Sequence, residues 1–125
     1  MKVTVRQPPG AIIFDVVGDI TVKDAPEFRK TVRAQTGGKP KRVVMNLAQV
    51  RYMDSSGVAT LLDSLKHIRG YGGELRLLGI TKMVRDLMEI TRLDKVFVLC
   101  QTEEEALGNG PAPAPPGPAE AQQGV

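Results

Sequence analysis

The sequence predicts a single α/β domain built on a mixed β-sheet with helices packed against it. An N-terminal pair of β-branched segments separated by a Pro-Gly turn reads as a hairpin. Thereafter short apolar runs alternate with segments of helical period. Hydrophobic residues make up 42% and charged residues 25% of the 125-residue chain, enough apolar material for one core and too little charge for a disordered chain. The domain is expected over residues 1–107.

Val3 and Val5, then Ala11 to Val17, form the two hairpin strands on either side of Gln7-Pro8-Pro9-Gly10. Gly18 and Asp19 break the second strand. Asp24 followed by Pro26 predicts a helix start, with Phe28 and Val32 on its core stripe and Gly37-Gly38 at its end. Arg42 to Leu47 is a nearly continuous apolar run, the pattern of a central strand covered on both faces.

From Ser56 the period changes, because Val58, Leu61, Leu62, Leu65 and Ile68 recur at helical spacing before Gly70, Gly72 and Gly73 stop the helix. On this helix Thr60, Asp63, Ser64 and His67 fall off the apolar stripe and are expected to face solvent. Glu74 to Leu78 reads as a strand. Thr81 caps a helix with Met83, Val84, Leu87 and Ile90 inward, Met88 packs in or beside the core, and Val96 to Leu99 reads as a buried strand. Strands separated by helices need crossover connections, so the three later strands should run parallel. Thr102 and Glu105 have the spacing of a capping box for a last short helix ending near Gly108. The remainder, 108–125, is rich in Pro, Ala and Gly and is expected to be a disordered tail.

Several function classes are excluded by what the chain lacks. There is no Trp and aromatics are 4%, which leaves no stacking platform for nucleic-acid bases. The net charge of +3 falls on two loose groups, Arg29, Lys30 and Arg33, then Lys39, Lys41 and Arg42; with no recognition motif beside them they read as a solvated face rather than a nucleic-acid site. Cys100, the single cysteine, ends an apolar run, so a buried inert thiol in a reducing, cytoplasmic setting is expected. No run approaches the length of a membrane span, so no membrane role is expected. Neither a Walker A sequence nor a GxGxxG run occurs, and no paired His or Cys offers a metal cage, so no cofactor is expected. The one histidine, His67, lies twelve residues beyond Ser55, about 18 Å along a helix at 1.5 Å per residue, too far to serve as its base. An enzyme is not expected.

One segment stands out, Met53-Asp54-Ser55-Ser56-Gly57, between the central strand and the most regular helix. A helix N-terminus offers unpaired N–H groups and a positive dipole end, so a phosphate on Ser55 would be tolerated there. Gly57 would let a partner approach the serine closely, and Asp54 would orient the hydroxyl or engage a nucleotide-bound metal on the partner. The alternative is plain capping by Asp54, Ser55 or Ser56.

The wider pattern decides between these readings. Val43-Val44-Met45-Asn46-Leu47, Val50 through Val58, Gly72-Gly73-Glu74-Leu75 and Thr91 through Phe97, in this order and spacing, resemble the STAS domain of anti-sigma factor antagonists over residues 3 to 107. The resemblance implies that Ser55 is the phosphoacceptor of a histidine-kinase-like serine kinase that doubles as the anti-sigma factor. It further implies that a PP2C-type phosphatase removes the phosphate, and that the unmodified protein binds the kinase and releases sigma factor without touching DNA. Asp54, Ser56, Gly57, Asp19 and Thr21 are then the partner-binding residues. Where the family often carries Gly-Glu-Leu-Asp after the second strand, this chain has Gly18-Asp19-Ile20-Thr21, keeping one acid and losing the other. The same fold serves other binding roles, a STAS subunit of an ABC lipid-transport system or a stressosome-like scaffold component. Weak self-association is left open.

Overall fold

A computed structural model describes residues 1–108. The disordered segment expected beyond that point lies outside the described residues. The elements run β1 (Lys2–Arg6), β2 (Ala11–Val17), α1 (Ala25–Gln35), β3 (Arg42–Gln49), α2 (Ser55–Gly70), β4 (Glu74–Leu78), α3 (Lys82–Ile90), a 3-10 turn (Leu93–Lys95), β5 (Val98–Cys100) and α4 (Glu103–Leu107). The strands form one five-stranded sheet in chain order, with β1 antiparallel to β2 and every later pair parallel. β3 is therefore central, as its apolar run predicts. Each of the three parallel steps needs a crossover, and α1, α2 and α3 supply them in turn.

Side-chain alternation divides the sheet into two unequal faces. Ile12, Phe14, Val16, Val43, Met45, Leu47, Leu75 and Leu77 point to the side occupied by the three long helices. There they meet Phe28 and Val32 of α1, Leu61, Leu65 and Ile68 of α2, and Val84 and Met88 of α3. The opposite face holds a smaller cluster, Ile13, Val44, Leu78 and Cys100, covered by Ala106 of α4. That burial keeps the Cys100 thiol pKa above its ordinary value, as an inert core cysteine requires. Thr102 caps α4 by accepting from the Glu105 amide at 3.1 Å, and Glu105 reaches back to the Gln101 amide at 2.9 Å, one residue before the cap.

Three expectations need correction. α2 is covered on two sides, by the sheet and by α1. Thr60 and Ser64, assigned to solvent by polarity, lie fully buried, their hydroxyls donating to the Ser56 and Thr60 carbonyls four residues back at 2.9 Å. His67 is half-buried, bonded to Thr36 Oγ1 at 3.0 Å and edge-on to Tyr71. In α3 the inward positions are Val84 and Met88, while Ile90 is 79% exposed and Met83 37% exposed. Met88 is buried as expected, while Met83 and Ile90, expected inward, turn to the surface. The last strand begins at Val98 rather than Val96, because the 3-10 turn occupies the preceding residues and leaves Val96 at the surface, with Phe97 fully buried behind it.

Candidate functional site

The loops at the C-terminal ends of the parallel strands converge on the start of α2. β2 leads into the loop Gly18–Asp24 and β3 into the loop Val50–Asp54, and the two are joined by backbone bonds. Gly18 N–H donates to the Gln49 carbonyl at 3.1 Å, Ile20 N–H to the Tyr52 carbonyl at 3.1 Å, and Asp54 N–H to the Ile20 carbonyl at 3.2 Å. The last two bonds make Ile20 and Met53 an isolated parallel bridge beyond the sheet proper. Both residues are buried, so the seam has its own apolar floor.

Asp54 is the N-cap of α2. One carboxylate oxygen accepts from the amides of Ser56 at 2.9 Å and Gly57 at 3.1 Å; the other accepts from the Val22 amide in the neighbouring loop at 3.0 Å. Desolvation pushes this carboxyl pKa upward. The amide donors of Gly57, Val22 and Ser56 together outweigh it, and the group is held below the usual carboxylate range. The plain capping role is thus real, and it extends to tying the two loops together.

Gly57 has a different task from the one its position suggested. A Cβ there would lie 2.5 Å from the Ile20 carbonyl oxygen and 2.8 Å from Met53 Cβ, so its missing side chain admits the neighbouring loop of the same chain. The expected space for a partner is filled from within. The expectation of free N–H groups for a phosphate is narrowed, since Asp54 already takes the Ser56 and Gly57 amides and the Val58 amide donates to the Asp54 carbonyl at 3.1 Å, which leaves the Ser55 amide as the one without an acceptor in this first turn among the described residues.

What remains accessible is Ser55. It is exposed at the first position of α2, and its hydroxyl makes no hydrogen bond to another described residue. Ser56 beside it is half-buried. On the adjoining loop Asp19 is exposed, and Thr21 is half-buried, its hydroxyl accepting from the Lys23 amide at 3.4 Å. The structure therefore brings Asp19, Thr21, Asp54, Ser55 and Ser56 to one end of the sheet. His67 sits at the far end of α2, away from this cluster.

One feature escaped the sequence reading. An open groove of about 410 Å³ runs beside Ser55, bounded by Tyr52, Val58, Met83, Leu87 and Thr91. Tyr52 is 46% exposed, and Val22 on the adjoining loop is 64% exposed. The signal was present in Met83, but helical period alone assigned that side chain to the core. Among the described residues no group of three or more His, Cys, Asp or Glu could hold a metal ion, and no helix is long and apolar enough to cross a membrane.

An anti-sigma-B factor antagonist of Bacillus subtilis is 30% identical over 105 residues, covering 83% of this chain and 94% of its own. Among solved structures, an anti-sigma factor antagonist from Mycobacterium paratuberculosis superposes with a TM-score of 0.76 at 24% identity, over 85% of this chain and 90% of that one. The Bacillus protein SpoIIAA in its phosphorylated form superposes with a TM-score of 0.68 at 18% identity, over 85% and 96% respectively. The STAS domain profile matches residues 2–106, nearly the whole described domain. This chain belongs to the STAS domain family.

Proposed function

We propose that this chain is an anti-sigma factor antagonist, a regulatory binding protein and not an enzyme, whose hold on a kinase that doubles as the anti-sigma factor is ended by phosphorylation of Ser55. The observation that carries the reading is the exposed, uncommitted Ser55 hydroxyl beside an Asp54 carboxylate whose two oxygens are both engaged within the chain. The names of the sequence relatives supply the partner class.

The contact surface in this reading is Ser55 with Asp19 and Thr21 on one side and the groove with Tyr52 and Met83 on the other. Asp54 and Gly57 act from within, by holding the two loops together. In the kinase the γ-phosphoryl group of ATP passes to Ser55 Oγ, ADP leaves, and the hydroxyl proton goes to a base on the kinase. The product carries about −1.5 to −2 charge. Because Asp54 occupies the Ser56 and Gly57 amides of α2, the phosphate projects outward beside an existing carboxylate instead of being absorbed by the helix end. Docking must then desolvate and repel that charge, and a penalty of about 3 kcal/mol weakens affinity roughly 100-fold. A PP2C-type phosphatase resets the switch. These partners place the exchange in the cytoplasm, where the released sigma factor reaches polymerase.

The test is capture from native lysate with wild type, Ser55→Ala and Ser55→Asp, followed by incubation with ATP and phosphosite mapping. A soluble histidine-kinase-like ATPase should be retained by wild type and Ser55→Ala and lost by Ser55→Asp, with phosphate on Ser55 alone. Equal retention by all three, or phosphate elsewhere, removes the mechanism. Recovery of a membrane-bound ATPase indifferent to Ser55→Asp would support the transport-subunit role.

A further inference from the structure

The groove beside Ser55 runs into an apolar stripe on the outer face of α3. Met83, Leu87 and Ile90 stand at i, i+4 and i+7, so they share one side of the helix and span about 10 Å at 1.5 Å per residue. We propose that the stripe and the groove together receive an amphipathic helix of the kinase, with an apolar face and carboxylates along its edge. The proposal rests on the phosphorylation reading above and names the element of the partner that makes the contact.

Three kinds of surface divide α3. Val84 and Met88 are buried in the core, and Lys82 and Asp86 pair at 2.8 Å on a solvated edge. The stripe lies between them, with Ile90 and Met83 exposed and Leu87 half-buried. A single exposed apolar side chain is ordinary. Here three follow one another on a helix face, and across the groove they meet Val58 of α2 and the exposed ring of Tyr52. Contiguity of this kind marks a contact surface.

The place of the groove identifies its occupant. Ser55 forms part of its wall, so an enzyme that brings the γ-phosphate of ATP to Ser55 Oγ lays its own surface over the groove as well. The form of the contact follows from the elements that line it. A helix face presents no free strand edge to which an extended segment could add, so the hold must come from side chains, and a stripe at i, i+4 and i+7 is matched by a second helix of the same period. Charge selects the edge of that helix. Arg51 and Arg92 are exposed, adjoin the groove residues Tyr52 and Thr91 in the chain, and form no ion pair among the described residues, whereas Asp86 is already committed to Lys82. Carboxylates flanking the partner's apolar face would meet these two cations.

The experiment has two arms. In the first, the full chain is titrated with a synthetic helical peptide of about 15 residues, leucine on one face and glutamate at its edges, and followed by amide NMR shifts. Saturable shifts at Tyr52, Val58, Met83, Leu87 and Ile90 are expected, with at least tenfold weaker binding by Met83→Ala with Ile90→Ala and by a peptide carrying lysine in place of glutamate. Lys30→Ala on α1 and Ser55→Ala should bind as wild type does. In the second, native lysate and ATP are added, and Ser55 of the Met83→Ala, Ile90→Ala chain should gain phosphate at least tenfold more slowly than wild type. An equal rate, or shifts that do not saturate or that lie away from α3, would overturn the helix contact and leave the Ser55 reading standing; absence of phosphate on wild-type Ser55 would overturn both. Sedimentation in which wild type self-associates and the double variant does not would assign the stripe to a second copy of this chain, and the proposal would fall.

Discussion

The Asp54 carboxylate accepts a hydrogen bond from the Val22 amide at 3.0 Å, joining two loops 32 residues apart in sequence, while its other oxygen caps α2. One side chain therefore sets both the start of the helix and the position of the loop beside Ser55. Loss of either bond should be felt at both places.

The pH dependence follows from the direction of the shift. Desolvation raises the Asp54 pKa, but its amide donors hold it below the ordinary value, so the folded state binds a proton less readily than the unfolded chain. Such a group stabilises the fold above its unfolded pKa of about 3.9, and that contribution is lost as pH falls through the lower folded value. Asp54→Asn keeps an oxygen for the cap but has nothing to titrate. Its Tm should lie about 5 °C below wild type at pH 7, with the difference narrowing below about pH 4. Thermal melts between pH 7 and pH 2.5 check this, and a constant difference across the range would sink it.

Gly57→Ala tests the seam from the other side. The new methyl group would meet backbone and Met53 Cβ at distances no real side chain tolerates, so Ile20 and its loop must move outward. The expected cost is about 1–3 kcal/mol in denaturant unfolding, with faster hydrogen exchange at the amides of Ile20, Val22 and Asp54. Unchanged exchange at those three amides would mean that the loops are not held by this contact.

Much of this architecture was legible because local pattern and tertiary role agree. The Arg42 to Leu47 run is apolar on successive residues because both faces of β3 are covered, at Val43 and Met45 by the helices and at Val44 by the cluster under α4. The Asp54 to Gly57 string announces a cap because a short carboxylate at that position lies within reach of the first amides of its own helix. The Val22 contact was invisible, since nothing in either loop records which distant amide a carboxylate will meet. Thr60 and Ser64 misled for a physical reason as well. Each satisfies its hydroxyl within its own helix, so both can be buried beneath α1 with no change in composition to signal it.

The rotated face of α3 gives a sharp comparison. Met88→Ala removes a buried side chain and should cost about 2–5 kcal/mol. Ile90→Ala removes one that is 79% exposed and should change stability by less than about 0.5 kcal/mol. Urea unfolding of the two variants decides the matter, and a larger cost at Ile90 would reverse the assignment of the helix face.

Arg76 is the most deeply buried charge among the described residues, and its position accounts for α4. From the middle of β4 it donates to the Glu105 carbonyl at 2.8 Å and pairs with Glu74 at 3.1 Å, while Arg42 donates to the Ala106 and Gly108 carbonyls at 3.1 and 2.8 Å. A five-residue helix has little apolar area with which to hold itself against a sheet, so these charge-assisted bonds to its last carbonyls carry a large share of the docking. Arg76→Ala leaves Glu74 with Arg42 as its remaining partner at 3.1 Å, leaves the Glu105 carbonyl without this donor, and opens a cavity, for an expected loss of about 3 kcal/mol. The more telling readout is local. Cys100 lies under Ala106, so undocking of α4 exposes its thiol, and the variant should react with a thiol reagent at least tenfold faster than wild type under conditions where both remain folded. If stability falls while the labelling rate stays the same, Arg76 supports the sheet alone and α4 is held by its apolar contacts.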